Sequence, residues 1–295
     1  MKAYKLITAL LLMAAMACQP KNNSTDQVDS TRKAMEENFK PLAPDTAAMA
    51  TFTKVEMVTD LGRMELALFN ATPKHRDNFL KLVRNRYYEG TLFHRIIKEF
   101  MVQGGDPDSK GAKPGTMLGQ GGPGYTLDAE IFDTLYHFKG ALAAARQGDD
   151  VNPEKKSSGS QFYIVSGKAV TSSEMKDVLR QKAFMKFMQD PENISYQMRY
   201  QVAMQRQDRA ALDDLQKELE TKIAPIVEKD YRKIPQRVKQ IYATWGGSPF
   251  LDQDYTVFGF VTKGYDVLEA LQTVETAEGD RPTKDIRILS MRILP

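Results

Sequence analysis

The sequence is poor in the residue types that most often form cross-links, bind metals or act as nucleophiles. It contains one cysteine, Cys18, and three histidines in 295 residues. A single cysteine excludes any disulfide within the chain. The histidines, at positions 75, 94 and 137, lie far apart, and no HExxH or comparable ligand spacing occurs, so we expect no metal site.

The signatures of several common enzyme classes are also missing. The sequence has no GxxxxGK[ST] phosphate-binding motif and no Gly-x-Ser-x-Gly nucleophile motif. No helical pattern follows the glycine-rich stretch 111–124, so we interpret it as a long loop. The net charge of +3 is small for this length and does not indicate nucleic acid as a partner. What is present is a globular composition, with 42% hydrophobic and 27% charged residues.

The N-terminus has the pattern of an export signal. Lys2 and Lys5 precede a mostly apolar run, residues 6–17, which is shorter than the roughly 20 residues that span a bilayer. Cys18 directly follows Ala-Met-Ala, and this arrangement resembles the lipobox of bacterial lipoproteins, in which that cysteine is lipidated. The alternative is an ordinary signal peptide that happens to contain a cysteine.

Residues 19–50 are rich in Asn, Ser, Thr, Lys, Asp, Pro and Ala and contain few large apolar side chains. Such a segment cannot recover the entropy lost on ordering, so we predict a flexible tether after a signal peptide at 1–18. The lipoprotein resemblance implies an exported chain that is anchored to a bacterial membrane through lipid on Cys18. We expect it on the outer membrane, facing the periplasm.

Residues 168–247 differ in pattern from the short strand-like segments on either side of them. Apolar residues recur at helical spacing, and Thr171-x-x-Glu174 has the form of a capping box. The spacing predicts one long helix that includes residues 198–219, with breaks at Pro225 and Pro235. We expect this helical insertion either to contact clients or to be a structural appendage.

The stretch from Phe93 to Pro107 is the most specific pattern in the chain. It reads FHRIIKEFMVQGGDP and sets one guanidinium, Arg95, and one amide, Gln103, among apolar residues. These contiguous residues closely resemble the signature of the cyclophilins, the peptidyl-prolyl cis-trans isomerases. Four further blocks resemble cyclophilin motifs in family order: GQGGPGY at 119–125, HFKGALAAAR at 137–146, SQFYI at 160–164 and FLD at 250–252.

The resemblance implies a mainly β fold. We expect a closed, eight-stranded antiparallel barrel with two capping helices, built from residues 51–167 and 248–295. The helical insertion at 168–247 interrupts it.

The resemblance also implies peptidyl-prolyl cis-trans isomerase activity that needs no cofactor. Rotation about the bond before proline faces a barrier of about 18–20 kcal/mol. Lowering this barrier requires a site that favours the twisted amide over both planar forms. Arg95 matches the family's catalytic arginine by its place in FHR. Its permanent charge would stabilise the lone pair that the imide nitrogen regains when resonance is lost.

The motif positions also imply a substrate-binding set around this arginine. Gln103 is expected to bind the substrate backbone, and Ala145 to lie beside the extended substrate. Three residues depart from the family pattern: Tyr163 replaces the usual Phe, Ala144 a common Met, and Phe250 the Trp associated with cyclosporin binding. The apolar pocket for the proline ring is expected to consist of Phe100, Met101, Tyr163 and Leu251. Phe250 is expected at its rim, and Tyr255 is expected to close it.

The expected partners are unfolded or partly folded polypeptides that contain proline, with no nucleic acid. A second hypothesis from another functional class remains open. The barrel would then hold proline-containing segments with little catalysis, and the methionines of the insertion would shield apolar surfaces of clients, as in a holdase chaperone.

Overall fold

The computed structural model describes residues 52–295, and these contain an eight-stranded antiparallel sheet and a separate two-stranded ribbon. The predicted signal peptide at 1–18, with Cys18, and the predicted tether at 19–50 lie outside the described residues. The strands are β1 (Thr53–Thr59), β2 (Gly62–Leu68), β3 (Arg95–Ile97), β4 (Met101–Gly104), β5 (Thr126–Leu127), β6 (Ala141–Ala144), β7 (Ser157–Ser158), β8 (Phe162–Val165), β9 (Val257–Lys263) and β10 (Ile288–Ile293).

The large sheet has the strand order β10-β1-β2-β9-β6-β8-β4-β3, and β5 pairs with β7 in the ribbon. Alternating apolar residues explain the inward face. Val55 and Met57 in β1, and Leu66 and Leu68 in β2, are fully buried in one hydrophobic core. Because side chains alternate between the two faces of a strand, the intervening residues point outwards.

The expected closed barrel is wrong in one respect, since β3 and β10 are the two ends of the sheet and do not pair as strands. The ends of the curled sheet meet beside β3, where Leu92 forms an isolated bridge with Arg287 and backbone hydrogen bonds join Gly90 to Ile288 and Phe93 to Ile286. These contacts use residues that precede β3, so β3 itself does not continue the ladder to β10. The mainly β, eight-stranded antiparallel class is confirmed.

Two helices pack against the sheet, and four more lie between β8 and β9. Helix α1 (Pro73–Arg84) covers the core with Phe79, which contacts the rings of Tyr88, Phe162 and Phe258. The N-terminus of α1 is capped by Glu130, whose carboxylate accepts from two backbone N–H groups at 3.1 and 3.0 Å. The helices are α1 (Pro73–Arg84), α2 (Ser172–Gln189), α3 (Ile194–Arg206), α4 (Arg209–Lys233), α5 (Gln236–Thr244) and α6 (Tyr265–Gln272).

The helices between β8 and β9 confirm the predicted Thr171–Glu174 capping box and correct two other predictions. The predicted long second helix is two helices, because Gln207 adopts a left-handed conformation at the C-terminus of α3. Pro225 does not break the chain but lies inside α4. Tertiary packing offsets the lost hydrogen bond, since Leu215, Leu219, Ile223 and Val227 form a buried cluster along α4.

No helix of residues 52–295 is both long enough and apolar enough to cross a bilayer.

Candidate active site

The strand register places three of the predicted site residues side by side. Arg95 in β3 pairs with Gln103 in β4, and Gln103 pairs with Tyr163 in β8. Directly paired residues project to the same face of a sheet, so the guanidinium, the amide and the phenol share one face. The next row, Ile96, Val102 and Ile164, projects to the opposite face and is buried in the core. The candidate site therefore lies on the outer face of the curled sheet.

The two polar residues of this row are held by neighbours. The Arg95 side chain is 43% exposed, and its Nε donates to Oδ2 of Asp280 at 3.2 Å. Nε2 of Gln103 donates to Oε1 of Gln161 at 3.1 Å, and Nε2 of Gln161 donates to the carbonyl of Gly121 at 2.8 Å. The guanidinium is thus accessible but oriented, and the amide is fixed against the glycine-rich loop.

The predicted apolar residues lie beside this row. Met101 is two residues before Gln103 in β4, so it projects to the same face, and it is buried. Leu251, on a short 3-10 turn, is also buried. The rings of Phe100 and Phe250 lie 5.1 Å apart, and Phe250 is 43% exposed. Met101 and Leu251 are thus buried, while Phe250 is accessible beside Phe100.

The hydroxyl of Tyr163, which the family pattern lacks, has a buried partner. It lies 3.0 Å from Nε2 of His137, whose Nδ1 lies 3.0 Å from Oδ1 of Asp252. Burial raises the pKa of Tyr163 well above its ordinary value, so the phenol stays protonated and can donate. Because a carboxylate only accepts, Nδ1 of His137 is the donor to Asp252, and Nε2 faces the Tyr163 hydroxyl.

Tyr255 and Ala145 lie at the margin of this group. The Tyr255 ring packs edge-on against Tyr163 at 6.0 Å, and the Arg146 guanidinium lies 4.4 Å from the centre of the Tyr255 ring. Ala145 is partly buried, and its backbone N–H donates to the carbonyl of Gln161 at 3.0 Å. Its predicted place beside an extended substrate stays a prediction.

Sequence reasoning assigned no role to four residues that the structure brings to this site: Gln161, His137, Asp252 and Asp280. Gln161 lies inside the motif SQFYI and Asp252 inside FLD, so their membership in these motifs was the sequence signal that could have identified them. His137 is fully buried between Tyr163 and Asp252. Asp280 lies 185 positions from Arg95, and no sequence spacing indicates their pairing.

The chain thus forms a curled antiparallel sheet whose outer face presents a cation and an amide near apolar side chains. A family model for the cyclophilin type peptidyl-prolyl cis-trans isomerases matches residues 54–293. The chain therefore belongs to the cyclophilin type peptidyl-prolyl cis-trans isomerase family.

Individual relatives agree with this membership. The chain is 30% identical over 241 residues to a putative peptidyl-prolyl cis-trans isomerase of Staphylococcus aureus strain USA300, covering 81% of this chain and 91% of that protein. It is 31% identical over 248 residues to a putative bifunctional phosphatase/peptidyl-prolyl cis-trans isomerase of Streptococcus pyogenes serotype M6. That match covers 82% of this chain and 39% of the longer streptococcal protein.

A solved structure shows the same fold. The cyclophilin type peptidyl-prolyl cis-trans isomerase of Cryptosporidium parvum superimposes with a TM-score of 0.50 and 22% identity. The superposition covers 83% of this chain and 99% of that one.

Proposed function

We propose that this chain accelerates cis-trans isomerisation of Xaa-Pro bonds in unfolded or partly folded polypeptides. The observation that carries the proposal is the row of Arg95, Gln103 and Tyr163 on one face, beside the apolar residues Met101 and Leu251. Family membership supports the same activity. The arrangement supplies a cation, a backbone-binding amide and an apolar surface for a proline ring.

Isomerisation needs differential stabilisation and no covalent step. Both planar isomers differ by only about 0.5–1 kcal/mol, so the barrier controls the exchange. The proline ring packs in the apolar site, which holds one side of the bond while the other side rotates. In the twisted state the imide nitrogen regains its lone pair, and a guanidinium donor is worth more there than in either planar state.

The Arg95 contacts suit this role. The ion pair with Asp280 uses Nε, so it orients the guanidinium and leaves the two terminal nitrogens for the substrate. Gln103, fixed by Gln161, turns its amide oxygen to the substrate backbone. Arginine is preferred over lysine because its donors are planar and rigid.

Proline-limited refolding of a model protein tests the proposal. We expect Arg95→Ala to lower the catalytic acceleration about a hundredfold, the typical loss for one electrostatic donor. Arg63→Ala is the matched control. Arg63 is an exposed arginine of β2 that pairs with Glu56 of the neighbouring β1, and neither strand pairs with β3. No acceleration by the unmutated chain, or equal rates for the chain and Arg95→Ala, would refute the isomerase proposal.

We further propose that the clients are exported proteins and that Cys18 carries a lipid at the outer membrane, facing the periplasm. The support is the sequence pattern of residues 1–18, where two lysines, an apolar run and a small residue precede the single cysteine. Metabolic labelling with a fatty acid tests the anchor. Label is expected on the unmutated chain and absent from Cys18→Ser.

A second function, holding of clients, is favoured by one exposed apolar stripe. Ile194, Met198 and Val202 follow each other at four-residue spacing on α3 and are 58%, 60% and 43% exposed. The opposite face of α3 packs Tyr196 and Tyr200 against the buried cluster of α4. Replacement of Met198 and Val202 by glutamine would weaken suppression of client aggregation and leave refolding catalysis intact. Unchanged suppression would remove the stripe from the proposal.

A further inference from the structure

The segment 249–255, which carries Leu251 and Tyr255, is held by two helices that lie outside the sheet. The first contact comes from α5, where the hydroxyl of Tyr242 donates to Oδ2 of Asp252 at 2.7 Å. Tyr242 is 1% exposed, and the Asp252 side chain is 17% exposed, so this hydrogen bond is largely buried. It joins the helical region to the turn that contributes the apolar site.

The second oxygen of Asp252 continues this contact towards the sheet. Oδ1 accepts from the backbone N–H of His137 at 2.9 Å and lies 3.0 Å from its Nδ1. The other ring nitrogen lies 3.0 Å from the hydroxyl of Tyr163. A continuous series of hydrogen bonds therefore runs from Tyr242 through Asp252 and His137 to Tyr163.

A further contact comes from α2. Nζ of Lys182 donates to the carbonyl of Asp252 at 2.6 Å and to Oδ2 of Asp254 at 2.8 Å. Asp254 in turn binds Lys155 at 2.5 Å, and its carbonyl accepts from Nε of Arg146 at 2.8 Å. The two helices thus contact the same turn, α5 through the Asp252 carboxylate and α2 through the Asp252 carbonyl.

We propose that the helical region 168–247 is a positioning element of the proline pocket, acting through Tyr242 and Lys182 on Asp252 and so on Tyr163, Leu251 and Tyr255. The inference rests on the proposed isomerase function and adds a role for the helices. It also gives a role to the tyrosine at position 163, because its hydroxyl is the last member of this series of hydrogen bonds. Loss of either contact loosens the turn that carries Leu251 and Tyr255. Binding of the proline ring is then weakened equally in the ground state and the transition state.

Tyr242→Phe removes one hydroxyl and preserves the ring. We expect KM for a tetrapeptide with one Xaa-Pro bond to rise about fivefold while kcat stays within about twofold, the pattern of lost uniform binding. Tyr196→Phe is the matched control, because Tyr196 also donates to a carboxylate, Glu218, at 2.6 Å, but within the helical region. Its KM is expected to equal that of the unmutated chain.

A second pair of variants tests the contact from α2. Lys182→Gln is expected to raise KM in the same direction as Tyr242→Phe. Lys176→Gln is its control, because Lys176 binds Glu228 of α4 at 2.6 Å and does not touch the turn. Circular dichroism and thermal unfolding of all four variants establish that each is folded before its kinetics are compared.

The double variant Tyr242→Phe/Tyr163→Phe and ¹⁵N NMR of His137 identify the path. If the effect passes along the hydrogen bonds from Tyr242 to Tyr163, the double variant is expected to have nearly the same KM as Tyr163→Phe alone. The ¹⁵N signals of His137 are expected to show an Nδ1-protonated ring that Tyr242→Phe perturbs and Tyr196→Phe does not.

The outcomes separate the two proposals. An active chain in which Tyr242→Phe and Lys182→Gln leave KM unchanged, or in which the His137 signals do not move, overturns the positioning role and leaves the isomerase. An unmutated chain without activity overturns the isomerase and this inference together.

Discussion

The guanidinium of Arg95 and the carboxylate of Asp280 form an ion pair at 3.2 Å, with both side chains 43% exposed. Asp280 reaches this position from a tight turn in which Gly279 and Asp280 both have positive φ, 78° and 62°. An ion pair this accessible contributes at most about 1 kcal/mol to stability. Its main effect is therefore on the orientation of Arg95, which remains free to exchange contacts with a substrate.

Removal of the Asp280 acceptor is the first prediction. Asp280→Ala is expected to lower kcat about threefold, because the guanidinium loses its orienting partner, and to change the free energy of unfolding by less than about 1 kcal/mol. Asp280→Asn keeps an acceptor oxygen and is expected to recover most of the rate. Peptide isomerisation assays on both variants measure this, and equal kcat for all three proteins would contradict it.

The second prediction concerns stability against pH. Burial lowers the pKa of His94 to about 4, from an ordinary 6.5. Between these values the unfolded chain binds the proton and the folded chain does not, so folding free energy is lost as pH falls. The loss approaches about 3 kcal/mol near pH 4. Burial also lowers the pKa of His75, which acts in the same direction.

His94→Leu isolates this contribution. The variant lacks the buried imidazole, so it is expected to lose less stability than the unmutated chain between pH 6.5 and pH 4. The carboxylates titrate equally in both proteins and cancel in the comparison. Urea unfolding at several pH values measures the difference. Identical slopes in the two proteins would show that His94 does not carry the effect.

The third prediction compares alanine variants of two phenylalanines, Phe162 in the core and Phe250 at the edge of the candidate site. Phe162 is 1% exposed and packs against the rings of Phe79, Tyr88 and Phe93, so Phe162→Ala is expected to destabilise by about 3–5 kcal/mol. Phe250 is 43% exposed at the edge of the site. Phe250→Ala is expected to raise KM while costing less than about 1 kcal/mol of stability. Thermal unfolding and peptide kinetics compare them, and a larger stability loss at Phe250 would contradict the placement.

The fourth prediction concerns the close crossing of the chain at the ends of the helical region. A Cβ on Gly246 would lie 2.5 Å from the carbonyl oxygen of Gly167, and Gly246 has φ +97°. Gly246→Ala is expected to destabilise by more than about 2 kcal/mol, because it adds both a backbone clash and a strained conformation. Gly122→Ala is the control, since its Cβ would meet nothing within 4 Å. Equal melting temperatures for both variants would refute the argument.

Local patterns in the sequence were sufficient for much of the fold. Alternation in β1 and β2 and the Thr171 capping box depend on neighbours a few residues apart, and the structure confirms them. The break expected at Pro225 was wrong, because packing around Leu219 and Ile223 overrides local propensity. The single long helix expected over 198–219 was also wrong, because the chain turns at Gln207. The closed barrel was wrong because ladder closure depends on strand ends that meet only in three dimensions.

The family, the candidate catalytic arginine and the residues of its motif could be predicted from the sequence, because these properties reside in contiguous side chains. The pairing of Asp280 with Arg95, and the path from Tyr242 through Asp252 and His137 to Tyr163, became evident from the fold alone. These contacts join residues from separate elements, and their geometry follows from sheet register and helix packing, which no spacing along the chain encodes.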